Sequence, residues 1–209
     1  MSLSDSLLWR YAPKRMTGEK IEDAKVELIL KAAQLAPTSK GLQPFKLILI
    51  KDEKLKNEIR PIAYNQPQIS EASHLIIFCA FASLEEKHIV DYIDNVQSTR
   101  NLTTDDVELY KNSLLKFAQH TPISEIQQWA KNQCYLAMGF ALAEAALIEV
   151  DCTPMEGFDT SALNSYLNLE TKNLNAVAIL ALGRRDVEND FLANSEKVRR
   201  PLEALVERL

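Results

Sequence analysis

Between Glu22 and Ala36 the apolar residues Val26, Ile29, Leu30 and Ala33 recur at helical spacing and share one face. Pro37 ends that pattern, and FKLILI (45–50) then reads as a short buried strand, apolar and rich in β-favouring residues. Glu53 to Ile62 reads as a helix, stopped in the Arg60-Pro61 region. HLIIFCAFA (74–82) is apolar throughout, the pattern of a central strand covered on both faces. From Glu85 to Val150 the pattern is almost wholly helical, and after Trp129 it is apolar nearly all round. A helix of that kind is buried in a core or in an oligomer interface. DCTPMEGFD (151–159) reads as a turn, a short helix follows near 160–168, and NAVAILALG (175–183) reads as another buried strand. Residues 184–201 form a polar tail before a final helical turn or two. With no internal repeat and no low-complexity linker, one α+β domain over 1–209 is the expectation.

Composition narrows the function classes. At 209 residues, 46% hydrophobic and 25% charged, the chain has the balance of a globular protein with a sizeable core. A net charge of −5 argues against nucleic-acid binding and makes any local basic cluster more informative. Cys79, Cys134 and Cys152 form no metal spacing and no CxxC pair, which suits a reducing, cytoplasmic location. Cys152 opens a loop, where a thiol is open to reaction, although nothing beside it in the sequence would lower its pKa. The N-terminal stretch MSLSDSLLWRYAPKR lacks the apolar core of a signal peptide, and no apolar run has transmembrane length.

The familiar catalytic fingerprints are missing. Only five glycines occur, with no GxGxxG, no GxxxxGK[ST] and no GxSxG, and His74, His88 and His120 lack ligand spacing. What remains is a set of polar loops. In RYAPKR, Pro13 favours an extended chain, placing Arg10, Ala12 and Lys14 on one side. In EKVRRP, Pro201 acts likewise, and Lys197 and Arg199 then share a side. Two such forks can converge on a phosphate, or each can be solvated surface charge. In PMEGFD, Pro154 and Gly157 shape a turn able to aim backbone N–H groups at an acceptor. Glu156 is there either a general base or a solvated charge. Asn65 and Gln68 in YNQPQISEAS suit a polar heterocycle, or simply close turns around Pro67. PTSKGLQP (37–44) ends a helix and turns into a strand.

Taken in order, RYAPK, APTSKGLQPFK, YNQPQISEASH, PMEGFD and KVRRP resemble the FMN-dependent nitroreductase family, and most closely its oxygen-insensitive NAD(P)H nitroreductase and dihydropteridine reductase branch. The resemblance covers nearly the whole chain. It implies an α+β fold, with a mixed central sheet flanked by helices, in an intertwined homodimer holding two FMN at its interface. It further implies that Arg10, Lys197 and Arg199 hold the FMN phosphate beside Tyr11 and Ala12, with Lys14 toward the pyrimidine edge of the flavin. Asn65 and Gln68 would approach the same ring system, and Pro154, Met155, Glu156 and Gly157 would line one ring face. Pro37, Thr38 and Ser39 would come from the other subunit, with Lys40 and Gly41 at the substrate opening. Gln68 stands where the branch commonly has lysine, so one cation that would stabilise reduced flavin is lost while Lys14 remains. The region Lys111–Pro122 also departs from the branch and is shorter.

The implied activity is ping-pong hydride transfer from NAD(P)H through FMN to nitroaromatics, quinones or related small conjugated acceptors. No catalytic side chain is required; Glu156 and Lys14 would support the flavin, and no metal, nucleic acid or membrane is involved. The alternatives are a flavoenzyme of the same fold with different chemistry, and a non-catalytic flavin-binding module.

Overall fold

The computed structural model describes residues 2–209. Its helices are α1 (Leu3–Trp9), α2 (Asp23–Leu35), α3 (Glu53–Ile62), α4 (Pro67–Glu71), α5 (Glu86–Arg100), α6 (Thr104–His120), α7 (Ile123–Leu147), α8 (Thr160–Tyr166) and α9 (Leu202–Leu205). The strands are β1 (Phe45–Ile50), β2 (His74–Phe81), β3 (Asp151–Met155) and β4 (Leu174–Gly183), and Ser39–Gly41 forms a 3₁₀ turn. They make one four-stranded sheet in the order β1-β2-β4-β3. Every pairing is antiparallel, so the mixed sheet implied by the resemblance is not formed among the described residues. No strand here is followed by a crossover that returns it parallel to a neighbour in this sheet.

The two central strands are covered on both faces, which is why they read as continuous apolar runs. In β2, Ile76, Phe78 and Ala80 pack on one side with Val26, Ile29 and Ala33 of α2 and Ala130, Ala137 and Ala141 of α7. The small alanines let α7 lie close against its neighbours. Leu75, Ile77 and Cys79 point the other way, into a cluster with Ile59 of α3, Ile69 of α4 and Leu163 of α8. A third cluster joins Ile89 and Ile93 of α5, Val107 and Leu114 of α6, and Ile126 of α7.

Residues 151–155, read from sequence as part of a turn, form edge strand β3 against β4. Pro154 disguised it, because proline lacks the ladder N–H; an edge position tolerates that loss. Pro67 likewise opens α4 rather than a turn, at a first helical position whose N–H needs no partner. Helix α7 buries one face and leaves Leu136 and Phe140 exposed at 44% and 43% on the other. Leu3, Leu7 and Leu8 of α1 are exposed as well. Among the described residues, no helix is long and apolar enough to cross a membrane.

Candidate functional site

The two ends of the chain meet beside β3. Ser2 starts α1 with a reciprocal capping box to Asp5, and the chain leaves the helix extended at Arg10, with φ −71° and ψ 141°. The tail after β4 is laid along this segment by backbone bonds from Thr17 N to Arg184 O (3.0 Å) and from Asp186 N to Arg15 O (3.1 Å). Arg185 is pinned by Asp151, through Nε at 2.7 Å and the backbone N–H at 2.9 Å, and stacks over the rings of Trp9 and Tyr11. Farther along, Lys197 Nζ donates to the carbonyls of Leu7, Leu8 and Arg10. A cation there also meets the negative end of α1.

These ties enclose a cavity of about 350 Å³ lined by Arg10, Tyr11, Ala12, Lys14, Arg185, Lys197 and Arg199. Both cationic forks thus open on one space. Arg10 Nη2 donates to Tyr11 O at 2.8 Å and reaches Cys152 O at 3.5 Å, while its Nε is buried without a partner. Arg10, Lys197 and Arg199 form no ion pair with a carboxylate among the described residues. Burial, followed by the charges of Arg10, Arg199 and Arg185, holds the Lys197 pKa below its ordinary value. A cluster whose charges repel, with a buried guanidinium N–H unpaired, fits a phosphate group. Lys197 contributes mainly as a placed charge, since its ammonium already sits on three carbonyls.

From this cavity β3 leads toward the other predicted loops. Thr153 Oγ1 donates to Pro13 O at 2.7 Å, anchoring the RYAPK segment to the strand. Pro154, Met155, Glu156 and Gly157 follow, and an extended chain carries Thr153 to Gly157 over ~13 Å. Gln66 Nε2 donates to Gly157 O at 2.7 Å, and Asp159 N donates to Ile62 O at 2.9 Å. Asn65 and Gln68 are therefore brought beside residues 154–157. Asn65 is exposed in a left-handed conformation (φ 58°), whereas Gln68 is only 2% exposed. Glu156 lines a separate cavity of about 340 Å³ with Ser124, Gln127 and Lys131 of α7.

Residues 37–41 do not enter the cationic cavity of their own chain. Ser39 N donates to Gln133 Oε1 at 2.8 Å, and Thr38 Oγ1 accepts from Gln43 N at 3.3 Å. Lys40, at φ 61°, is fixed by Tyr110 Oη donating to its carbonyl at 2.6 Å and by the Phe117 ring 4.6 Å from its ammonium. Gly41 has φ 70°, and a Cβ there would lie 2.6 Å from Tyr92 Oη. Within one chain this glycine is needed for its backbone angle and for Tyr92. Pro37 is exposed at the end of α2, and Gly41 borders a third cavity of about 840 Å³ along β1.

Sequence reasoning missed Asp151, Arg185, Asp190, Gln66 and Gln133, the residues that hold these loops. None belongs to a recognisable pattern, because each acts on a partner far along the chain. Cys152 lies buried in β3 rather than in a loop, and burial pushes its pKa up to about 11, the opposite of a reactive thiol.

A model described as the nitroreductase family matches residues 7–184. The chain is 26% identical to the oxygen-insensitive NAD(P)H nitroreductase of Salmonella typhimurium, over 97% of each chain. A nitroreductase-like protein from Streptococcus mutans superposes with a TM-score of 0.84 at 17% identity, covering 99% of this chain and 97% of that one. A structure from Exiguobacterium sibiricum, described as a nitroreductase in complex with FMN, gives 0.83 at 20% identity over 100% and 98%.

Proposed function

The chain belongs to the nitroreductase family, and we propose that it is an FMN-dependent NAD(P)H oxidoreductase acting as a homodimer. One observation carries the reading. Arg10, Lys14, Lys197 and Arg199, from opposite ends of the sequence, line a single cavity, and Arg10 Nε is buried without a partner. That cavity suits the FMN phosphate, and β3 leads from it to loops suited to the flavin ring. The FMN-bound relative supports the same cofactor here.

On this reading Arg10, Lys197 and Arg199 hold the phosphate beside Tyr11 and Ala12, with Lys14 toward the pyrimidine edge of the flavin. Pro154, Met155, Glu156 and Gly157 form one wall for the ring, with Asn65 and Gln68 at its polar edge. Gln66 keeps the Gly157 peptide in place. FMN, when bound, would supply the hydride chemistry between NAD(P)H and nitroaromatics, quinones or related conjugated acceptors. The chain orients donor and acceptor and needs no proton-transfer triad. Pro37, Thr38 and Ser39 serve the partner's flavin, with Lys40 and Gly41 at the opening. The exposed apolar face of α7, with Leu136 and Phe140, supplies dimer contact surface. Buried, free Cys79, Cys134 and Cys152 suit a cytoplasmic location.

Anaerobic addition of NADH or NADPH to the FMN-loaded protein tests this. Bleaching of the flavin absorbance by at least one donor, reversed by a quinone or nitroaromatic, is expected. Bound flavin that neither donor bleaches would favour a binding module.

A further inference from the structure

Asp190 lies in the irregular tail, 5% exposed, and does not line the cationic cavity. Its carboxylate nevertheless touches both cavity walls. Oδ2 accepts from Tyr11 Oη at 3.0 Å and from Lys14 N at 2.9 Å, while Oδ1 accepts from Leu192 N at 2.9 Å. Tyr11 and Lys14 belong to the N-terminal wall, and Leu192 leads into the wall that carries Lys197. Burial, then the bond to Asp190, raises the Tyr11 pKa, so the phenol remains a donor.

We propose that Asp190 is a positioning residue for the cofactor phosphate: a buried carboxylate that clasps the two ends of the chain so that their cations face one another. The proposal rests on the FMN reading above. Three donors satisfy one buried charge, and removing that charge leaves them facing a group that cannot accept from all of them. The walls then lose their register, and charge-assisted bonds to phosphate depend on it.

Asp190→Asn separates this role from simple electrostatics by the sign of its effect. Removing a negative charge near a cationic cavity would, by Coulomb attraction alone, tighten FMN binding. Loss of the clasp weakens it. In titrations following the quenching of free-flavin fluorescence, the FMN dissociation constant of D190N is expected to rise at least about tenfold. Riboflavin, which lacks the phosphate, is expected to be largely spared in D190N, losing no more than about threefold through Lys14. Tyr11→Phe keeps the charge and removes one bond, and is expected to raise the FMN constant about threefold, again sparing riboflavin. Should D190N fail to fold, as judged by circular dichroism, the Tyr11→Phe result decides alone. Unchanged or tighter FMN binding, or equal loss of FMN and riboflavin, would overturn the positioning role. A parent protein that binds no FMN would overturn the cofactor reading, and this role with it.

Discussion

The cationic cavity and the Pro37–Gly41 loop differ in how much of their chemistry a single chain supplies. Arg10, Lys14, Lys197 and Arg199 line one space in one chain, joined through Asp190, Thr153 and the carbonyls beneath Lys197. The loop is just as tightly held, by Gln133, Tyr110 and Tyr92, yet it shares no cavity with those cations. A rigid loop without a ligand group opposite it in its own chain is what a site completed by a second copy requires. On the proposed reading, the phosphate end belongs to the protomer and the ring end to the assembly.

Substitutions at each end put this contrast at risk. Arg10→Ala removes the guanidinium whose Nε is buried without a partner and is expected to weaken FMN binding about 100-fold, at the upper end for bonds to a charged group. Arg199 is exposed and already donates to Val198 O, so Arg199→Ala is expected to cost only about tenfold. Equal or negligible losses in FMN titrations would count against the phosphate assignment. At the other end, Gly41→Ala forces a Cβ against Tyr92 at positive φ, and is expected to lower stability in urea by about 1–2 kcal/mol. Adding Tyr92→Phe should restore part of that loss, while FMN phosphate contacts stay intact throughout. The smallest effect belongs to the bond that holds the 154–157 segment. Gln66→Ala deletes the bond to Gly157 O and is expected to cost about 1 kcal/mol in thermal unfolding, with FMN affinity little changed. A large loss of FMN affinity there would mean that the ring end depends on this loop within one chain.

The legible parts of the chain were those where one local rule decides. Most of β2 and β4 follows from continuous apolar runs, since both their faces are covered, and α3 forms over the residues expected. β1 is a strand, but at the sheet edge with only Ile50 buried, not the buried strand its apolar run suggested. β3 was hidden because Pro154 argues against a strand unless its edge position is known. The five-residue α4 was hidden because so short a helix has no periodicity to read. At the candidate site, the cations and loop residues were singled out as local motifs, and their roles came only from the family resemblance. Their supports could not: Asp190, Gln66 and Gln133 reach partners 176, 91 and 94 positions away, and no local pattern carries that information.

Sedimentation equilibrium monitored at the flavin absorbance tests the central claim most directly. The yellow species is expected at twice the mass of one chain, carrying one FMN per chain. Flavin sedimenting with a single chain, or no flavin-coloured species after incubation with FMN, would contradict it.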